Sequence, residues 1–131
     1  MRVGLAGLGY WGPNLARNFD DLAELTWLCD LSPDLLDQFG ARLEDDSLQS
    51  VVIATPVTTH YELARRALEA GKHVFVEKPP ALAASEADEL ATLAEERNLV
   101  LLPGHLLLYH PAVVKLKELI ESGELGDVLY L

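Results

Sequence analysis

Six residues near the start of the chain have the types and spacing of an anion-binding turn. Gly7-Leu8-Gly9-Tyr10-Trp11-Gly12 reads G-x-G-x-x-G. In that pattern the first glycine permits a tight turn, the second lets backbone amides approach a pyrophosphate, and the third lets the following helix pack closely on the preceding strand. A helix opening there presents N–H groups without intrahelical partners and the positive end of its dipole. Pro13 lacks an N–H, which a first helical turn tolerates. Three glycines alone can be a purely steric solution to strand–helix packing. The second signal is Asp30, placed roughly 20 residues further on, where a carboxylate hydrogen-bonds ribose hydroxyls and repels a 2′-phosphate. The pair points to NAD, with NADP disfavoured; the bland reading makes Asp30 a loop residue before Leu31-Ser32-Pro33. Tyr10 and Trp11 belong to the binding loop, and their side chains are expected to cap the core beside it in preference to stacking on a base.

Other polar residues follow three later apolar runs: Thr55-Pro56 with His60, Glu77-Lys78-Pro79-Pro80, and Pro103-Gly104-His105. An ammonium such as that of Lys78, set near a substrate carbonyl or hydroxyl, can polarise it or relay a proton during hydride transfer. The plain alternative is a surface lysine paired with Glu77. His60 sits one residue inside a Thr59/Glu62 capping-box pattern, which predicts a solvated first-turn histidine. His105 fits a site role and a loop role equally well, His73 begins a strand, and His110 precedes Pro111 at a helix start. No histidine pair has metal-ligand spacing backed by cysteine or carboxylate, so no metal site is expected.

Elements of two kinds must carry these groups. The apolar runs Val3 to Ala6, Leu25 to Cys29, Val51 to Ala54, His73 to Val76 and Leu99 to Leu102 read as strands buried on both faces. Val128 to Leu131 reads as a sixth. Between them lie helical patterns: one after Gly12 with Leu15, Ala16 and Phe19 inward, one opening at Ser32-Pro33, one behind Thr59 with Leu63, Ala64, Ala67 and Leu68 inward and stopping at Gly71, one from about Ala84 to Arg97 burying Ala87, Leu90, Ala91 and Ala94, and one from Pro111 to about Ser122. Strands alternating with helices are the sequence form of a parallel α/β sheet.

Composition narrows the classes. The chain has 131 residues, a net charge of −11 and 50% hydrophobic residues, enough to bury one domain's core. Its sequence pI is near 4.6. Its densest basic groups, Arg65-Arg66 and Lys115/Lys117, are interleaved with glutamate, so neither nucleic acid nor an anionic membrane surface is an expected partner. The single cysteine, Cys29, excludes an internal disulfide and suits a reducing compartment, and the start is too short and glycine-broken for a signal peptide; the cytoplasm is the expected location.

Taken together, the motifs resemble the NAD(P)-dependent oxidoreductases named for glucose–fructose oxidoreductase, inositol dehydrogenase and rhizopine catabolism (Gfo/Idh/MocA). The resemblance is carried by Gly7 to Asn14, Ala54-Thr55-Pro56 with His60, Gly71-Lys72-His73-Val74, Glu77-Lys78-Pro79 and Gly123-Glu124-Leu125-Gly126-Asp127. Gly104-His105 followed by Tyr109-His110-Pro111 resembles members acting on sugars or nucleotide sugars. It covers nearly the whole chain except about Phe39 to Ser50. By this resemblance Gly7, Gly9, Gly12 and Asp30 bind the dinucleotide, Lys78 is the catalytic lysine near nicotinamide and substrate, and Thr55, Pro56, His60, Glu77 and His105 line the cofactor cleft. Members of the family continue into a second α/β domain that binds substrate. Dehydrogenase turnover is therefore not expected of this chain alone, and a sugar substrate only where a second domain is supplied.

The resemblance also implies a shortened sheet. The family places the rest of a helix, a third strand and another helix where only Gly40 to Ser50 stand here. Removing the third strand from order 3-2-1-4-5 and renumbering leaves a doubly wound, five-stranded parallel Rossmann-derived sheet with the flavodoxin-like order 2-1-3-4-5. One fused helix, about Pro33 to Glu44, would make the crossover. Such a sheet suits a natural fragment or an engineered single domain. Competing expectations are a fold without ligand, an oxidoreductase completed by a partner chain, and FMN at the switch point. The chain is expected as a monomer, or as a dimer paired through the edge strand Val128 to Leu131.

Overall fold

The five central runs are strands in one sheet, and every neighbouring pair is parallel. The computed structural model describes residues 1–30 and 35–129. In chain order the elements are β1 (Arg2–Ala6), α1 (Gly12–Leu22), β2 (Glu24–Cys29), α2 (Leu35–Leu43), β3 (Ser50–Ile53), α3 (His60–Glu69), β4 (His73–Val76), α4 (Ala84–Glu96), β5 (Leu101–Pro103) and α5 (Pro111–Glu121). Short 3₁₀ turns, Val57–Thr59 and Leu106–Tyr109, precede α3 and α5. The strand order is β2-β1-β3-β4-β5, as the shortened-sheet argument expects.

This order decides which helix covers which face. Crossovers between parallel strands are right-handed. The step from β1 to β2 runs one way along the sheet and the later steps run the other, so α1 lies on one face and α2, α3 and α4 on the opposite face. Packing follows that division. Phe39 and Leu43 of α2, Leu63, Ala64, Ala67 and Leu68 of α3, and Leu90 and Ala94 of α4 share a core with Val51, Ile53, Val74 and Val76. Leu15, Ala16 and Phe19 of α1 pack on Val3, Leu5 and Val52.

Several expectations need correction. Apolar composition suggested strands buried on both faces, yet β2 and β5 are the edges, leaving Leu28 49% and Leu102 44% exposed. The Thr59/Glu62 capping box does not form: no side chain caps α3, and the Thr59 hydroxyl turns back to the Thr55 hydroxyl at 2.7 Å and the Pro56 carbonyl at 2.8 Å. Instead the Glu86 carboxylate closes the start of α4 by accepting the amides of Leu82 and Ala83. Ala91 is exposed, and Leu93 packs on the core in its place. Val128 and Leu129 belong to no strand, and the rest of that run lies outside the described residues, as does the Ser32-Pro33 helix start. Gly71 and Gly123, at φ +75° and +76°, end α3 and α5 as expected.

Candidate dinucleotide-binding site

Where strand order reverses, between β1 and β3, the chain leaves β1 for one face and β3 for the other, opening a crevice at their carboxyl ends. The glycine loop fills its floor. Gly7 has φ +99°, and a Cβ there would lie 2.4 Å from the Ala54 carbonyl carbon. Its amide donates to the Cys29 carbonyl at 2.8 Å, while the Ala54 amide donates to Ala6 O at 2.8 Å, so β1, β2 and β3 are tied together just below the loop. A Cβ on Gly12 would fall 2.1 Å from Gly7 O, which shows how closely α1 abuts the turn. Gly9 is different: a Cβ there would meet nothing within 4 Å. Two glycines are thus required by the protein's own packing, and the middle one faces open space.

Tyr10 and Trp11 do not cap the core. Tyr10 is 94% exposed and Trp11 42%, with their rings edge-on at 6.0 Å, so the loop turns these side chains outward. Trp11 instead borders a cavity of about 520 Å³ with Lys78, Gly104, His105 and the leucines that follow. Lys78 and His105 are exposed at its rim.

Beside the crevice, Thr55 is buried and Pro56 exposed. Glu77 is buried, and its carboxylate accepts the backbone amide of Lys78 at 3.2 Å. No ion pair joins Glu77 to Lys78 among the described residues, so the alternative of a surface lysine paired with Glu77 is not what is seen. The Lys78–Pro79 peptide is cis. Gly104, which sequence reasoning left out of the site, sits close under two side chains: a Cβ there would lie 3.2 Å from the Phe75 ring and 3.3 Å from Glu77 Oε2.

His60 departs most from its expectation of a solvated histidine. It is 2% exposed, because α3 begins beneath the loop after β4. Its Nδ1 lies 2.7 Å from Pro79 O and its Nε2 2.7 Å from Thr55 O. Asp30 stands exposed at the end of β2. Burial, then the Asp30 carboxylate, push the neighbouring Cys29 thiol up to about 11, with Arg42 acting in the opposite direction. Among the described residues no cluster of three or more His, Cys, Asp or Glu is placed to hold a metal, and no helix is long and apolar enough to cross a membrane.

Residues 1–105 match the oxidoreductase family described as having an NAD-binding Rossmann fold. The chain belongs to this family. It is 35% identical, over 144 residues, to an uncharacterized oxidoreductase of Streptococcus pneumoniae, covering 99% of this chain and 39% of that protein. It is 34% identical over 128 residues to the UDP-N-acetylglucosamine 3-dehydrogenase of Acidithiobacillus ferrooxidans, covering 90% of this chain and 41% of that enzyme. The chain therefore spans about two-fifths of the length of these curated relatives. Among solved structures, scyllo-inositol dehydrogenase from Lactobacillus casei with bound NAD(H) and scyllo-inositol superposes with a TM-score of 0.83 at 26% identity, over 97% of this chain and 42% of that one. A variant of a 3-ketoreductase from Actinomadura kijaniata, in complex with TDP-benzene and NADP, superposes with a TM-score of 0.79 at 28% identity, over 97% and 45%. The family thus supports a dinucleotide cofactor, and its members include holders of either NAD(H) or NADP.

Proposed function

We propose that this chain binds NAD in the β1–β3 crevice, as the cofactor-holding part of a sugar or nucleotide-sugar oxidoreductase. The observation that carries the reading is the glycine triad. Gly7 and Gly12 have no room for a side chain, whereas Gly9 has room and carries none. A bare backbone facing open space at a helix start is what a pyrophosphate needs. Asp30 would take the ribose hydroxyls and disfavour a 2′-phosphate. Thr55, Pro56, Glu77 and His105 would line the cleft, with Tyr10 and Trp11 above the phosphates.

When bound, the nicotinamide supplies the hydride chemistry. The protein's part would be to orient it, and Lys78, exposed at the cavity rim, would polarise or protonate a sugar oxygen arriving there. The matched length is about two-fifths of the relatives, and what is proposed for these 131 residues is the binding step. Turnover is assigned to a form in which sugar-holding residues are supplied by further chain or by a partner. A cytoplasmic location fits the lone Cys29.

Calorimetric titration with NAD, NADP, ADP-ribose and FMN tests the reading. Saturable binding of NAD and ADP-ribose, stronger than that of NADP and absent for FMN, is expected. No saturable binding of either adenine ligand overturns it and leaves a fold without ligand.

A further inference from the structure

We propose that His60 is a positioning residue for the Lys78 loop, acting as an imidazolium whose two ring N–H groups bind the carbonyl oxygens of Thr55 and Pro79 at once. The inference stands on geometry and does not depend on which nucleotide binds. Both ring nitrogens lie 2.7 Å from a backbone carbonyl oxygen, and such an oxygen can only accept. A neutral imidazole has one N–H, so one nitrogen lone pair would face an oxygen inside a side chain that is 2% exposed. The doubly protonated ring satisfies both oxygens.

The ring's position gives it something to do. The β3–β4 ladder ends where the Glu77 amide donates to Ile53 O at 2.9 Å. Two residues beyond that rung on each side lie Thr55 and Pro79, and His60 joins them. The tie immediately follows Lys78, so it fixes the segment that carries the ammonium to the cavity rim. The charge has opponents: burial disfavours it, and so does the start of α3. The titratable groups on the surrounding elements are Glu77 and Lys78 on the β4 loop, Tyr61, Glu62 and Arg65 on α3, and Glu86 and Glu89 on α4.

Nuclear magnetic resonance of the whole chain, labelled with ¹⁵N in histidine, reads the state directly at neutral pH. Both His60 ring nitrogens are expected to be protonated, each with a bound proton protected from exchange, and a lone-pair signature on either nitrogen overturns the imidazolium. The positioning role is read in His60→Gln. Amide resonances of Glu77, Lys78 and Ala81 should shift and exchange faster while those of β1 hold. A folded variant with those amides unchanged overturns positioning. If His60→Gln does not fold, amide exchange is read in the native chain instead: the Lys78 and Ala81 amides should exchange as slowly as those of β4, and exchange as fast as that of an open loop overturns positioning.

Discussion

Gly7, Gly9 and Gly12 carry one motif but should respond to substitution in opposite ways, which separates protein packing from ligand binding. At Gly7 any other residue would take φ +99° and push a Cβ to 2.4 Å from the Ala54 backbone. Strain of about 1–3 kcal/mol and overpacking of about 1–3 kcal/mol give roughly 2–6 kcal/mol for Gly7→Ala. With 131 residues and about 2.1 cal/mol/K of unfolding entropy per residue, each kcal/mol moves Tm by about 3.6 °C, so a loss of roughly 7–22 °C is expected. Gly12→Ala, with its Cβ 2.1 Å from Gly7 O, should fall in the same direction. At Gly9 a Cβ would meet nothing within 4 Å, so Gly9→Val should move Tm by no more than about 2 °C. Its isopropyl group would occupy the space a pyrophosphate needs. Losing two charge-assisted bonds of about 1.5–3 kcal/mol each weakens NAD binding by more than about 100-fold. Thermal melts and calorimetry on the three variants decide the matter. Gly9→Val that binds NAD like the native chain, or that melts as low as Gly7→Ala, would refute the reasoning.

Asp30→Asn should weaken NAD by roughly tenfold, about 1.4 kcal/mol, and narrow the gap to NADP, both read by titration; an unchanged NAD-to-NADP ratio would remove Asp30 from the ribose site. Phe39, fully buried and edge-on to Trp27 at 6.0 Å, anchors α2 to the sheet, so Phe39→Ala should cost about 3–5 kcal/mol in urea unfolding. The Cys29 thiol, pushed up to about 11 from 9.0 by burial and then Asp30, should be alkylated by iodoacetamide at pH 8 roughly a hundredfold more slowly than a free thiol, with the rate rising about tenfold per pH unit towards 11. The raised value also means that folding favours the protonated thiol, so its stabilising contribution is present below pH 9 and lost between 9 and about 11. The difference in stability between the native chain and Cys29→Ser across that window checks the sign.

Strand positions were legible because runs such as Val51 to Ala54 and His73 to Val76 have little alternative to burial, and their bounds hold to within two residues. Edge position was not, since Leu28 and Leu102 belong to equally apolar runs and only strand order distinguishes an edge from a centre. Strand order came from the resemblance: the family's order loses its third strand because the stretch Gly40 to Ser50 is too short for a strand and a helix. Local patterns failed where tertiary partners competed for the same atoms. The Thr59 hydroxyl had an amide of α3 within the pattern's reach and took Thr55 and Pro56 instead. His60 read as solvated because a helix start is ordinarily at the surface, and nothing local announces that the β4 loop folds over it. Gly104 was visible in the sequence, but the close approach of Phe75 and Glu77 to it appears only once β4 and β5 are paired.

A five-stranded sheet of this order can keep a dinucleotide crevice because the crevice depends on β1 and β3 and not on how far the sheet extends past β2. Gly7 is locked by contact with Ala54, a residue of the β3 end, and its amide is held by Cys29 of β2. Those constraints survive with β2 as the last strand on that side. What an additional strand beyond β2 would supply is cover for the adenosine end, near the exposed Asp30. Affinity in this chain should therefore be lost on the adenosine side first and kept at the pyrophosphate. ADP-ribose and NAD should bind within a few-fold of each other, since both share the ribose and pyrophosphate contacts, while adenosine alone should bind far more weakly than either. Adenosine binding as tightly as ADP-ribose would place the dominant contacts on the base and show that the glycine loop is not what holds the ligand.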